Sequence, residues 1–98
     1  MISYFFTRIA NSDLEKITNY IADLNPSAAD AFLTKLDETC DLLAEHPGIG
    51  RPRPRLGENV RSFPIGNYLL FYVPTIDGMI VLRLIYGGRD LPAAFQQE

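Results

Sequence analysis

Two apolar segments separated by a short turn constrain the fold of this chain most strongly. Residues 68–73 and 79–86 are almost entirely aliphatic or aromatic, a composition that favours β-strands over helices. The linker between them ends in Asp77-Gly78, a dipeptide typical of tight β-hairpin turns. We therefore predict that the two segments pair as an antiparallel hairpin.

Arg83 is the one charged residue inside the second of these strands. Regular alternation places its side chain on the face of Val81 and Ile85, opposite a second group of side chains, Ile80, Leu82, Leu84 and Tyr86. Because arginine is costly to bury, two interpretations stay open. Arg83 either packs its stem along the sheet with its head in solvent, or it contacts another molecule.

The beginning of the chain predicts a short strand followed by a helix. Residues 3–8 contain enough aromatic and β-branched side chains to form a strand. Ser12-Asp13-Leu14-Glu15 has the form of a capping box, so we expect the first helix to begin there. The apolar stripe of this helix consists of Leu14, Ile17, Ile21 and Leu24.

Asn25-Pro26 is predicted to end the first helix and to begin a second one. Asparagine is a favoured N-cap, and proline is tolerated at the first helical position. The second helix should reach about His46, with an apolar stripe of Ala29, Phe32, Leu36, Cys40 and Leu43. A break this short predicts an antiparallel helical hairpin, with Cys40 as an inert buried thiol and His46 as a surface residue at a helix C-terminus.

Pro47-Gly48 should stop the second helix, and residues 50–55, which alternate arginine with proline, predict an extended, solvated connector. Residues 60–65 predict a further strand, with Pro64 near an edge or a bulge. The predicted fold class is α+β: a strand, an antiparallel helical hairpin, a three-stranded antiparallel β-sheet and a short helical segment at 91–96. Residues 1–98 form one domain in this interpretation. The helices cover one sheet face, and the other face meets solvent or a partner.

Charge and composition argue against several classes of function. Residues 1–46 hold eight acidic residues against three basic ones, whereas residues 47–98 hold six arginines against four acidic residues. The formal net charge of −3 argues against direct nucleic-acid binding as the main task. No apolar run approaches the ~20 residues of a membrane span, the N-terminus lacks the pattern of a secretory signal, and the single cysteine favours a reducing cytoplasm. We expect neither a metal site nor a cofactor.

The order and spacing of several short motifs resemble the ParE branch of the RelE/ParE toxin superfamily. The motifs cover nearly the whole chain: Asn25-Pro26-Ser27-Ala28-Ala29, then Arg61-Ser62-Phe63-Pro64-Ile65-Gly66, then Tyr68-Leu69-Leu70-Phe71-Tyr72, then Arg83, and finally Gly87 with Arg89-Asp90-Leu91. The chain differs from the family pattern at Tyr86, where many relatives have histidine, and at Val73-Pro74, where a basic residue is common.

The resemblance implies the toxin of a type II toxin–antitoxin system, neutralised by a cognate antitoxin in a hetero-oligomeric complex. For the ParE branch it implies that the toxin inhibits DNA gyrase by binding, with Arg61, Arg83 and Arg89 as target-binding residues. We expect the antitoxin to fill an apolar groove between the helical hairpin and the sheet, using a set of apolar residues: Leu69, Phe71, Ile80 and Leu82.

Two alternatives to a gyrase inhibitor stay open. For the RelE branch the resemblance implies cleavage of ribosome-bound mRNA, with Arg61 and Arg83 supplying positive charge and Tyr86 moving a proton. The acidic chain and the predicted opposite faces of Arg83 and Tyr86 argue against that activity. An interaction module of the same fold without toxicity is the second alternative. The arginines also have structural interpretations: Arg61 pairing with a carboxylate of the helical hairpin, and Arg89-Asp90 setting the last turn.

Overall fold

The computed structural model describes residues 3–87, which form two helices and a five-stranded sheet. The elements in chain order are β1 (Ser3–Phe6), α1 (Arg8–Leu24), α2 (Pro26–Glu45), a 3₁₀ turn (Pro47–Ile49), β2 (Arg51–Pro52), β3 (Arg61–Ile65), β4 (Tyr68–Thr75) and β5 (Gly78–Tyr86). Across the sheet the strands follow the order β1-β5-β4-β3-β2. The predicted α+β class is therefore correct, and the predicted helical segment at 91–96 lies outside the described residues.

The prediction of a three-stranded sheet is wrong, because two further strands extend it at its edges. β1 lies parallel to β5, with Phe5 opposite Ile80, and β2 lies antiparallel to β3, with Pro52 opposite Arg61. The alternating prolines of residues 50–55 suggested a connector free of the sheet. An edge strand tolerates proline, however, because one side of its backbone needs no ladder hydrogen bonds.

Helix α1 begins four residues before the predicted start. The hydroxyl of Thr7 accepts a hydrogen bond from the Ala10 amide at 3.0 Å, which caps the helix, and donates one to the Leu82 carbonyl oxygen at 3.0 Å. The capping-box sequence that begins at Ser12 therefore lies inside the helix. Thr7 is favoured as the cap because its hydroxyl also bonds a distant strand, a contact that the local sequence does not reveal.

Helix α2 begins as predicted. The Asn25 side chain accepts hydrogen bonds from the amides of Ser27 at 3.0 Å and Ala28 at 3.3 Å, and Pro26 is the first helical residue. The predicted stripe is largely confirmed, with four buried members, Ala29, Leu36, Cys40 and Leu43. Burial, reinforced by Asp37 and Asp41, raises the pKa of Cys40 to about 12, so its reactive thiolate is scarce at neutral pH. On α1, by contrast, Leu24 is exposed although the stripe predicted it to be inside.

The main core lies between the helices and one face of the sheet. Its buried residues come from both layers: Ala10, Ile17, Leu36, Cys40, Leu43, Ile65, Leu70, Tyr72, Met79, Val81 and Leu84. A smaller second cluster lies on the other face. It consists of Val60, Phe71 and Ile85, with Leu56, Leu69, Val73 and Leu82 packed around them. The apolar sheet residues are thus divided between two faces, whereas a sheet with one fully solvated face carries polar residues on that face.

A bulge in β5 interrupts the regular alternation predicted for that strand. Phe71 lies opposite Arg83, but the next residue of β4, Tyr72, lies opposite Val81, so Leu82 is an extra residue on β5. As a result Val81 belongs to the main core and Ile85 to the second cluster. The prediction that these two residues share a face is therefore wrong, because a bulge shifts the alternation by one position.

Neither described helix, in the range 3–87, combines the length and the hydropathy needed to cross a membrane.

The contact between Gly78 and β1 generates a stability prediction. Gly78 has φ of +153°, and a Cβ atom at this position would collide with the Ser3 carbonyl oxygen. Gly78→Ala should therefore lower the free energy of unfolding by about 3 kcal/mol through backbone strain and displacement of β1. Gly48, where a Cβ atom meets no neighbour within 4 Å, provides the matched control, and Gly48→Ala should change stability by less than ~0.5 kcal/mol. Urea unfolding followed by circular dichroism measures both, and equal stabilities would contradict the prediction.

Candidate functional site

Arg83 is held by an ion pair with Asp13 of helix α1. Its Nε donates to Asp13 Oδ2 at 2.8 Å and its Nη2 donates to Oδ1 at 3.2 Å, which is a bidentate arrangement. The two side chains are only 11% and 13% exposed. The guanidinium is therefore paired inside the molecule, and the interpretation with its head in solvent is wrong. The contact forms at the edge of β5 beyond the end of β1, where the Leu84 amide also meets Asp13.

Asp13 also completes the edge of β5. The register of β1 with β5 ends at Val81, and beyond that point the Leu84 amide donates to Asp13 Oδ2 at 3.1 Å. One carboxylate of α1 thus satisfies a strand amide and an arginine together. A buried donor left unpaired costs about 1–3 kcal/mol, so this contact contributes to the docking of the helix as well as to the position of Arg83.

Arg61 holds the segment that follows helix α2. Its Nη1 donates to the carbonyl oxygens of Gly48 at 3.1 Å and Gly50 at 2.7 Å. The structural alternative for Arg61 was a pair with a carboxylate of the helical hairpin. Backbone carbonyls of the turn 47–50 take that place.

Tyr72 holds the same turn from β4. Its hydroxyl donates to the Pro47 carbonyl oxygen at 2.6 Å and accepts from the Gly50 amide at 3.0 Å. The ring is fully buried, and burial raises the pKa of the phenol, partly offset by the Gly50 hydrogen bond and by Arg61. A Cβ atom on Gly50 would collide with this ring, so glycine is required there. Arg61 and Tyr72 together make the turn a rigid rim of the sheet.

The loop of residues 50–55, which was predicted to be a solvated connector, is attached to the sheet through Arg53. Arg53 Nε donates to Ser62 Oγ at 2.8 Å, and the guanidinium carbon lies 6.0 Å from the centroid of the Phe71 ring. Burial, together with the charge of Arg51, lowers the pKa of Arg53. Arg51 and Arg55 are exposed as predicted. The loop therefore covers part of the second cluster instead of extending into solvent.

Tyr86 lies on the helical side of the molecule. Its ring is 51% exposed and meets Tyr68 edge-on at 5.8 Å, and Tyr68 in turn meets Phe32 of α2 at 5.6 Å. Asp13, the partner of Arg83, lines the same small cavity of about 150 Å³ as Tyr86. Arg61, in contrast, lies on β3, two strands away from β5. The structure therefore does not gather the three residues of the nuclease alternative into one site.

The four residues predicted to bind an antitoxin lie on the sheet face opposite the helices. Leu69, Phe71 and Leu82 belong to the second cluster, and Ile80 pairs across the sheet with Val73 of that cluster. The predicted groove between helices and sheet is filled by the main core, so the location of that groove is wrong. Phe71 is fully buried and the other three are half-buried. Arg89, the third predicted target-binding residue, lies outside the described residues.

Sequence reasoning missed Asp13 and Tyr72 as residues that organise this region. No local pattern marks Asp13, since its partner is 70 residues away. A signal for Tyr72 did exist, because a tyrosine in the middle of a buried strand needs a hydrogen-bond partner for its hydroxyl.

Comparison with known proteins agrees with the fold and with the motifs. Residues 4–91 match the family model described as the ParE toxin of the type II toxin–antitoxin system parDE. Toxin ParE1 of Caulobacter vibrioides is 34% identical over 74 residues, which cover 74% of this chain and 76% of that protein. Toxin ParE3 of the same organism is 25% identical over 88 residues, covering 89% and 88%.

A solved structure described as the chromosomal ParDE TA system from P. aeruginosa has the same fold. Its TM-score is 0.71 at 22% sequence identity, and the match covers 88% of this chain and 96% of that one. A helical hairpin packed on one face of a small mixed sheet is thus the fold that the chain shares with that structure. The chain belongs to the ParE toxin family of type II toxin–antitoxin systems.

The Asp13–Arg83 pair generates a second stability prediction. Asp13→Asn keeps the shape of the side chain but removes the carboxylate charge that faces the guanidinium in a largely buried place. We expect the free energy of unfolding to fall by about 2–4 kcal/mol. The exposed Asp23 of the same helix gives the matched control, and Asp23→Asn should change stability by less than ~0.5 kcal/mol. Chemical denaturation of both variants measures the difference, and a loss for Asp13→Asn as small as the control would show that the pair is not a structural link.

Proposed function

We propose that this ParE family toxin inhibits DNA gyrase by binding it, without catalysis of its own, and that a cognate antitoxin neutralises it in the cytoplasm. The observation that carries the binding mode is the position of Arg61 and Arg83, the two predicted target-binding arginines that the structure describes. Arg83, on β5, is neutralised by Asp13. Arg61 lies on β3, at the other side of β4, and donates to backbone carbonyl oxygens of the turn 47–50. The two guanidinium groups thus lie on strands separated by β4, and they do not surround one reacting group.

An mRNA endonuclease needs a different arrangement. Cleavage through a 2′-hydroxyl requires a general base, positive charge at the phosphorane and an acid for the leaving oxygen, all within hydrogen-bond reach of one reacting group. Arg61 and Tyr86 lie at separate parts of the sheet, and His46 is an exposed residue at the end of α2. These positions favour an inhibitor that binds its target over a nuclease.

The gyrase proposal predicts that substitution of Arg61 weakens inhibition. Purified toxin should block supercoiling by gyrase, and Arg61→Gln should raise the toxin concentration needed by about tenfold, the effect of losing one good charged contact. Arg8 is exposed at the first position of α1 and provides the control, so Arg8→Gln should inhibit like the unchanged toxin. Circular dichroism of each variant verifies the fold.

Three outcomes separate the proposal from its alternatives. Undiminished supercoiling at saturating toxin would contradict gyrase inhibition. Codon-positioned mRNA cuts after induction would show the RelE-type activity. Unchanged growth on induction would identify an interaction module without toxicity.

We propose further that the antitoxin binds the sheet face that carries Leu69, Phe71, Ile80 and Leu82. Three observations support this location. Leu69, Ile80 and Leu82 are half-buried apolar side chains, Phe5 beside Ile80 is 67% exposed, and the helices pack on the opposite face. An antitoxin segment that folds on binding could complete such a face, and the complex should then be more stable than either isolated protein.

A charge placed on this face should weaken antitoxin binding. Ile80→Asp buries a carboxylate against the antitoxin, and we expect the dissociation constant to rise by about 100-fold. Ile76, 99% exposed in the turn between β4 and β5, gives the same substitution outside the proposed interface, and Ile76→Asp should leave affinity unchanged. Isothermal titration with the protein encoded beside this toxin measures both constants. If the two variants bind equally well, the antitoxin uses another surface.

A further inference from the structure

The guanidinium of Arg61 is fixed at one end and open at the other. Arginine carries N–H donors on Nε, Nη1 and Nη2. Both hydrogen bonds of Arg61 within residues 3–87 come from Nη1, to the carbonyl oxygens of Gly48 and Gly50. Nε and Nη2 therefore keep their donors available, and these two atoms form the edge of the guanidinium that matches the two oxygens of a carboxylate.

The concavity beside Arg61 has stiff walls. Its volume is about 400 Å³, and Pro52, Pro54 and Pro74 line it together with Asn59 and Arg61. Proline rings fix the backbone dihedral φ, so walls built from them lose little conformational freedom when a ligand enters. The carbonyl bonds on Nη1 likewise reduce the entropy that the guanidinium loses on binding. A site that is ordered before it is occupied binds more tightly than a mobile one.

The charge of Arg61 lacks an internal counter-charge in the described part of the chain. Its recorded partners are neutral carbonyl oxygens, in contrast to Arg83, whose partner is a carboxylate. The neighbouring Arg51 and Arg55 are exposed and add positive charge around the same strands. A purely structural arginine would need only the two carbonyl bonds, and it would not need a place in the lining of an open concavity.

We infer that this concavity is a receptor for a carboxylate side chain in an acidic segment of the protein that the toxin inhibits, with Arg61 Nε and Nη2 as the donors. The inference rests on the proposed function in taking a protein as the target. A carboxylate fits better than a nucleic-acid phosphate for two reasons. The planar edge formed by Nε and Nη2 matches the two oxygens of a carboxylate, and a concavity of about 400 Å³ accommodates a side chain and not a duplex.

Nuclear magnetic resonance of the full-length, ¹⁵N-labelled toxin tests the receptor directly. Hexaglutamate is the probe, and the Arg61 Nε–H resonance is the signal. We expect a saturable shift of this resonance, with smaller shifts in the amides around Asn59. Hexathymidylate at the same concentration should give a weaker effect. A stronger effect of the oligonucleotide, or no saturable shift with hexaglutamate, would overturn the inference.

A pair of isosteric variants separates recognition from folding. Asn59 lies at the rim of the concavity with φ of +65°, a conformation that aspartate also tolerates. Asn59→Asp adds a competing charge without removing the carbonyl bonds of Arg61, and it should weaken hexaglutamate binding at least about fivefold. Asn67 is exposed in the turn at the opposite end of β3, so Asn67→Asp makes the same change in net charge and should bind normally. Equal weakening by both variants would attribute binding to net charge alone and overturn the inference.

The probe experiment does not involve gyrase, so the two proposals can fail separately. If the toxin inhibits supercoiling but Arg61 does not respond to hexaglutamate, the carboxylate receptor is wrong and the proposed function stands. If hexaglutamate binds at Arg61 but supercoiling is undiminished, the receptor stands and its protein target is another one.

Discussion

The carboxylate of Asp13 connects the helical layer to the strand on which most of the structure depends. β5 pairs with β1 on one side and with β4 on the other, and it supplies Met79, Val81 and Leu84 to the core beneath the helices. Where β1 ends, Asp13 takes its place at the edge of β5 by accepting from the Leu84 amide and from Arg83. Helix α1 is therefore positioned by directional hydrogen bonds as well as by apolar packing, which is not directional.

The bulge at Leu82 allows one strand to serve both faces of the sheet. Before the bulge, β5 sends Val81 into the main core, and after it, Ile85 enters the second cluster while Leu84 stays in the core. Without the extra residue, Val81 and Ile85 would lie on the same face of the sheet. Arg83, which follows the bulge, meets Asp13 at the edge of β5 that the end of β1 leaves open.

Three described arginines of the second half of the chain illustrate different ways of accommodating a charge at the border of a core. Arg83 is neutralised by an acid, Arg53 rests near an aromatic ring and binds a hydroxyl, and Arg61 binds two carbonyl oxygens. Among the described residues, Arg83 has a carboxylate partner, whereas the partners of Arg53 and Arg61 are uncharged. Because an ion pair satisfies a charge and carbonyl contacts merely orient it, Arg61 is better suited than Arg83 to meet an acidic partner.

Local sequence determined the elements whose causes lie within a few residues. Asn25-Pro26 specified the boundary between the helices, the spacing of Leu36, Cys40 and Leu43 specified the buried face of α2, and Asp77-Gly78 specified the hairpin, since each depends on dihedral preferences and nearby hydrogen bonds. The motif order also identified the toxin family correctly. Only the tertiary structure decided the edge strands, the bulge and the partners of the arginines. These features depend on which distant groups meet once the layers have packed: Asp13 with Arg83, and Tyr72 with Pro47. The sequence of one strand does not indicate such contacts, because the partner that stabilises each of them lies tens of residues away in the chain.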